Sequence, residues 1–126
     1  MKTENDHKQM AYAFFDAMNH RRFTDLEPVL SENVVFDFPG SGQVEGRRRV
    51  LLFLHALLRK YPQLEFTVSD VVSEDNRVCV VWSNKGVDSS GASYENRGMT
   101  LMVMAGIQVR FISDYFKDTS FVNNNL

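Results

Sequence analysis

The sequence predicts an α+β fold in which N-terminal helices cover one face of a curved antiparallel sheet. Two patterns carry this reading. Up to Tyr61 the apolar residues recur mainly at helical intervals, and beyond Pro62 the period drops to two, with turn-forming clusters between the runs. Size is the third observation: 126 residues, 44% of them hydrophobic and 24% charged, suit one globular domain over 1–126 with a single core.

From Asn5 to Asn19, Met10, Ala11, Phe14, Phe15 and Met18 fall on one helical face. Thr24 can cap a short second helix that has Asp25 and Glu27 in its first turn, where the helix dipole favours negative charge, and Leu26, Val29 and Leu30 facing inward. Val34 to Phe38 is β-branched and aromatic, and Pro39-Gly40-Ser41-Gly42 ends that strand. Gly46 precedes a third helix running to about Tyr61, because Arg47 to Lys60 holds no Gly or Pro and Pro62 closes it. Leu64, Phe66 and Val68 then alternate with polar residues, and Ser73-Glu74-Asp75-Asn76 supplies a turn. Arg77 to Val87, Tyr94 to Met104 and Ile107 to Phe116 read as three more strands, joined by Asp88-Ser89-Ser90-Gly91 and by a tight turn at Ala105-Gly106. Asn123 to Asn125 form a polar tip.

A formal charge of -2 gives no general attraction to phosphate backbones, so no nucleic-acid partner is expected. Arg47-Arg48-Arg49 reads as a solvated helix start, since the acidic remainder offers no larger basic surface. The longest apolar run, Val50 to Leu54, is far below the ~20 residues that cross a bilayer, which argues against a membrane partner. A lone Cys79 and a polar start without a signal-peptide pattern point to the cytoplasm. No compact His, Cys, Asp and Glu spacing indicates a metal, and Gly40-Ser41-Gly42 lacks the rest of a dinucleotide fingerprint, so no cofactor is expected.

Three segments, in this order, resemble the SnoaL-like branch of the nuclear transport factor 2 superfamily, which includes ketosteroid isomerase, scytalone dehydratase and the polyketide cyclases. They are Ala13-Phe14-Phe15-Asp16-Ala17-Met18-Asn19 followed by Phe23-Thr24-Asp25-Leu26 and Leu30 to Phe36; Gly46-Arg47 with Tyr61-Pro62-Gln63-Leu64; and Ile107 through Asp114-Tyr115-Phe116. The resemblance implies a cone-shaped sheet of the cystatin-like α+β barrel type, wrapped around a mostly apolar pocket and commonly found in a homodimer. Ketosteroid isomerase has a tyrosine, an aspartate base and a second carboxyl at the positions that match Phe14, Phe38 and Thr100 here. Scytalone dehydratase has a tyrosine at the place of Phe38 and an aspartate at that of Asn19. These departures argue against both named activities.

Strand alternation selects the remaining polar candidates. If Phe36 and Phe38 face the pocket, Asp37 points to the other side unless the Pro-Gly segment twists the strand end; it is the second candidate carboxyl. On the last strand, alignment with the isomerase puts Ile112, Asp114 and Phe116 inward and Val109, Phe111, Ser113 and Tyr115 outward. Asp114 is therefore the leading acid or base, with Arg97 or Arg110 as a structural partner in the rival reading. Apolar neighbours would raise its pKa toward the useful range. His7 near a frayed terminus and His20 at a helix end read as structural or exposed, and His55 is a minor pocket candidate.

Phe14, Met18, Phe36, Phe38, Phe53, Trp82, Thr100, Met102 and Phe116 make up the expected pocket wall. The implied activity is cofactor-independent proton transfer on a small hydrophobic molecule, by an isomerase, cyclase or lyase. The alternative is a non-catalytic binder of such a molecule. Cys79, Val81, Leu101, Val103, Val109 and Phe111 project from the outer sheet face, which predicts a homodimer through that face.

Overall fold

A computed structural model describes residues 2–88 and 90–121, so the polar tip at Asn123 to Asn125 lies outside the described residues. Helix α1 (Lys2–Asn19) leads into the short α2 (Phe23–Leu26) and a 3-10 turn (Glu27–Val29). Strands β1 (Leu30–Phe38) and β2 (Gly42–Glu45) precede α3 (Arg47–Lys60), and β3 (Glu65–Glu74), β4 (Arg77–Val87), β5 (Ser93–Ala105) and β6 (Gln108–Phe116) follow. The six strands form one curved, unclosed sheet in the order β2-β1-β6-β5-β4-β3. No helix among the described residues is long and apolar enough to cross a membrane.

The α+β class holds, and the sheet is mixed: β1 pairs parallel to β6, while every other pairing is antiparallel. The helical crossover and the β3–β6 meander return the chain beside β1 in the same direction. The Pro39-Gly40-Ser41-Gly42 segment is a hairpin turn rather than the end of regular structure. Gly40 and Gly42 take φ of 84° and 67°, a region costly for side chains with a Cβ, and Phe38 pairs with Gly42 to start β2.

Register shifts interrupt three ladders, β1–β6 between Leu30 and Val35 as well as β5–β6 and β3–β4, and the last two explain reversed faces. In β6 the register passes from Val103↔Phe111 to Met104↔Val109, so Arg110 is an extra residue. The bulge turns Val109 into the core, where it is fully buried, and corrects its expected outward position. Asp114 lies after the bulge, so its parity with Ile112 and Phe116 is kept. In β3 the shift between Val68 and Asp70 likewise buries Val71 and exposes Val72.

Docking of the helices rests on a few polar anchors as well as on the apolar core. At the end of α1, Asn19 Nδ2 donates to the Phe66 carbonyl at 2.9 Å and its Oδ1 accepts from the Phe66 N–H at 2.8 Å. Its amide thereby imitates a strand partner and ties α1 to β3. Arg21, at φ 56°, sends its guanidinium to the carbonyls of Met18, Asn19, Tyr61, Pro62 and Leu64 at 2.9–3.3 Å. One cation thus satisfies carbonyls at the end of α1 and at the turn from α3 into β3, groups left without helical partners.

Candidate active site

The helices and the concave side of the sheet enclose a cavity of about 250 Å³. Phe14, Phe15 and Met18 come from α1, Phe36 and Phe38 from the end of β1, and Phe53, Leu57 and Lys60 from α3. The sheet contributes Phe66, Asn84, Tyr94, Thr100, Ile112, Asp114 and Phe116. Phe38 sits edge-on to Phe36, Phe53 and Phe116, with ring centroids 5.9, 5.2 and 5.5 Å away. This end of the cavity is therefore a packed aromatic wall.

Asp114 stands directly across from Thr100 in the β5–β6 ladder. The Thr100 hydroxyl donates to Asp114 Oδ1 at 2.6 Å and accepts from Trp82 Nε1 at 2.8 Å. The relay depends on Gly98, whose place opposite Trp82 leaves room for the indole. A Cβ there would lie 2.8 Å from two Trp82 ring atoms and 2.3 Å from the Tyr115 carbonyl oxygen. Trp82 Nε1 holds the hydroxyl oxygen, the hydroxyl proton points to the carboxyl, and Asp114 itself lines the cavity.

Burial raises the Asp114 pKa from 3.8 to about 7, and the Thr100 hydrogen bond works in the opposite direction by favouring the carboxylate. Near neutrality such a group can give or take a proton with little change in its own population. Neither expected cation joins it. Arg97 and Arg110 are exposed, and the described salt bridges do not include Asp114.

Phe14, Met18, Phe36, Phe38, Phe53, Thr100, Phe116 and Asp114 come together around the cavity. Trp82 and Met102 do not line it. Both are buried in the core, Trp82 behind the Thr100–Asp114 pair with Phe66 and Phe116 against its ring. Asp37 also lies off the wall: its flanking residues Phe36 and Phe38 point in, and its register partner on β6 is Ser113, on the face opposite Asp114. His55 stacks on Phe23 with ring centroids 3.6 Å apart, outside the cavity lining. His7 is buried rather than frayed, with Nε2 3.1 Å from the Gly106 carbonyl oxygen in the β5–β6 turn.

Among the described residues, no three His, Cys, Asp or Glu side chains converge as metal ligands. The polar wall residues missed from sequence are Ser41, Lys60, Tyr61, Asn84 and Tyr94. The signal for Asn84 was present, because it shares strand parity with Trp82; Lys60 needed the position of the helix end, which periodicity places poorly.

A family model for the SnoaL-like domain matches residues 11–110, and the chain belongs to that family. The fold is shared with a provisionally named SnoaL-like polyketide cyclase from Jannaschia sp. CCS1, at TM-score 0.85 and 20% identity, over 93% of this chain and 89% of that one. An NTF2-like protein of unknown function from Burkholderia pseudomallei K96243 gives TM-score 0.85 at 14% identity, covering 94% and 95%. A provisionally named ketosteroid isomerase from Kribbella flavida DSM 17836 gives 0.74 at 19%, covering 92% and 81%. Among curated proteins none matches the chain at a significant level. Identities this low establish a common fold and transfer no reaction.

Proposed function

We propose that this SnoaL-like protein is a cofactor-independent enzyme that moves a proton on a small hydrophobic molecule, in an isomerisation, cyclisation or elimination. Asp114 is the acid and base. The observation that carries the reading is a single carboxyl, hydrogen-bonded by Thr100 and lacking a described cationic partner, set into a mostly apolar, aromatic-rich wall. In the proton-accepting step the Asp114 carboxylate takes a proton from a carbon next to a carbonyl or similar acidifying group. The protonated form then returns it at another position of the same molecule. The aromatic wall excludes water and holds the ligand by apolar contact.

The reaction differs from that of ketosteroid isomerase in its groups. Phe14 and Phe38, at the positions matching the isomerase tyrosine and aspartate base, have no transferable proton. Wild-type protein is therefore expected to leave a β,γ-unsaturated ketosteroid unconverted, and measurable turnover would contradict the assignment of Phe38.

A substrate-independent test is exchange of the acidic carbon-bound protons of β-tetralone in deuterium oxide, followed by proton NMR. The wild-type protein should accelerate exchange, and Asp114→Asn should lose about 10²-fold or more of that acceleration. Equal rates for the two proteins would favour the alternative, a hydrophobic-ligand binder without catalysis, which the aromatic wall equally suits.

The proposal extends to a homodimer formed through the outer sheet face. Val72, Val81, Met99 and Tyr115 are 56%, 38%, 37% and 54% exposed, and they adjoin the half-buried Cys79, Leu101, Val103 and Phe111. A second copy would cover this apolar surface. The cytoplasm is the compartment that a single free cysteine suits.

A further inference from the structure

Two buried amides stand opposite each other on β4 and β5, and their surroundings differ. Asn84 pairs in register with Asn96, and the two are 5% and 7% exposed. Asn96 is saturated: Nδ2 donates to the Tyr94 hydroxyl at 3.1 Å and to the Asp118 carbonyl at 2.8 Å, and Oδ1 accepts from the N–H groups of Arg97 and Asp118 at 2.9 and 3.2 Å. Asn84 lines the cavity, and its Oδ1 is buried with no hydrogen-bond partner. A buried amide oxygen left unpaired costs free energy that an apolar residue of the same shape would not.

Position along the sheet separates this amide from the acid. Asn84 lies four residues along β4 from Val80, the register partner of Thr100. At about 3.3 Å per residue, that places it about 13 Å along the strand from the Thr100–Asp114 pair. Trp82, Gly98 and Phe116 occupy the register between them. Tyr94, one step further along β5, also lines the cavity, and its hydroxyl accepts from Asn96, which leaves its own proton to donate. The cavity thus has a polar pole at each end of an aromatic wall.

We propose that Asn84 is a specificity-determining residue that binds a hydroxyl group on the ligand, remote from the carbon that Asp114 addresses. On binding, the Asn84 amide turns so that Oδ1 accepts from the ligand hydroxyl, whose oxygen accepts from Tyr94. The ligand class is a neutral, mostly apolar molecule bearing an alcohol or phenol at one end. The inference rests on the reading of the cavity as a site for a small hydrophobic molecule.

Equilibrium dialysis with β-naphthol and naphthalene, on the full chain and on Asn84→Leu, tests it. The wild-type protein should bind β-naphthol about tenfold more tightly than naphthalene, and Asn84→Leu should lose that preference while binding naphthalene as well as before. Its melting temperature should rise by a few degrees, because an amide with an unpaired buried oxygen has been replaced by an apolar residue of similar volume. Equal wild-type affinity for the two probes, or a preference that survives in Asn84→Leu, would overturn the Asn84 subsite while leaving the cavity as a binding site. A lower melting temperature for Asn84→Leu would make the amide a structural group and overturn the proposal as well. Binding of neither probe would remove the cavity reading and the subsite together.

Discussion

Ionising Asp114 creates a negative charge poorly reached by water, in a wall that includes Phe36, Ile112 and Phe116, with one hydroxyl in compensation. Its pKa is about 7 in the folded chain against an ordinary 3.8, so between those values the folded state holds a proton that the unfolded state has lost. The stability this provides is fully present below about pH 4 and is lost as pH rises through 7, with a total span of up to about 4 kcal/mol. Asp114→Asn keeps an oxygen for Thr100 and cannot ionise. Compared with wild type it should melt several degrees higher at pH 8 and nearly equally at pH 4, as differential scanning calorimetry would record. A large destabilisation at both pH values would show a structural aspartate instead. Thr100→Val tests the relay from the other side. It strands the buried Trp82 N–H at a cost of about 1–3 kcal/mol and removes the bond that favours the carboxylate, so Asp114 should titrate above 7. Asp114 was legible in the sequence because alternation and family alignment agree on its direction. Trp82 and Met102 also point inward, but only the three-dimensional packing separates a core residue from a wall residue, since both are apolar and both share the parity of the cavity.

At the level of elements, the three helices and the β3 to β6 meander follow from periodicity and from turn residues. The β1–β2 hairpin and the parallel β1–β6 pairing do not, because a Pro-Gly-Ser-Gly segment reads equally as a terminator, and pairing between residues 76 or more positions apart, as Phe36 with Ile112, leaves no local pattern. The Arg110 bulge was hidden for a similar reason: one inserted residue reverses the faces of everything before it, as Val109 records. The contact between α1 and the α3–β3 turn was not legible either, since Arg21 looks like any exposed cation in sequence. Its five bonds to carbonyls predict that Arg21→Ala destabilises the fold by about 2–4 kcal/mol, measurable by urea denaturation. A change within about 0.5 kcal/mol would mean that water replaces the guanidinium at little cost.

For the whole molecule, the concave face of the sheet serves the cavity and the convex face is available for assembly. Its exposed Val72, Val81, Met99 and Tyr115 lie on adjacent strands β3 to β6, as an interface between copies would need. Val81→Glu places a charge among them and should shift sedimentation velocity from dimer to monomer without lowering helix or strand content; an unchanged dimer would put the interface elsewhere. Proton transfer in that cavity requires one carboxyl that titrates near neutrality. Carbon-13 NMR titration of the aspartate carboxyls, with the Asp114 signal assigned by its absence in Asp114→Asn, measures this directly. A midpoint near pH 7 is the predicted result, and a midpoint near 4, in the range of a solvated aspartate, would contradict it.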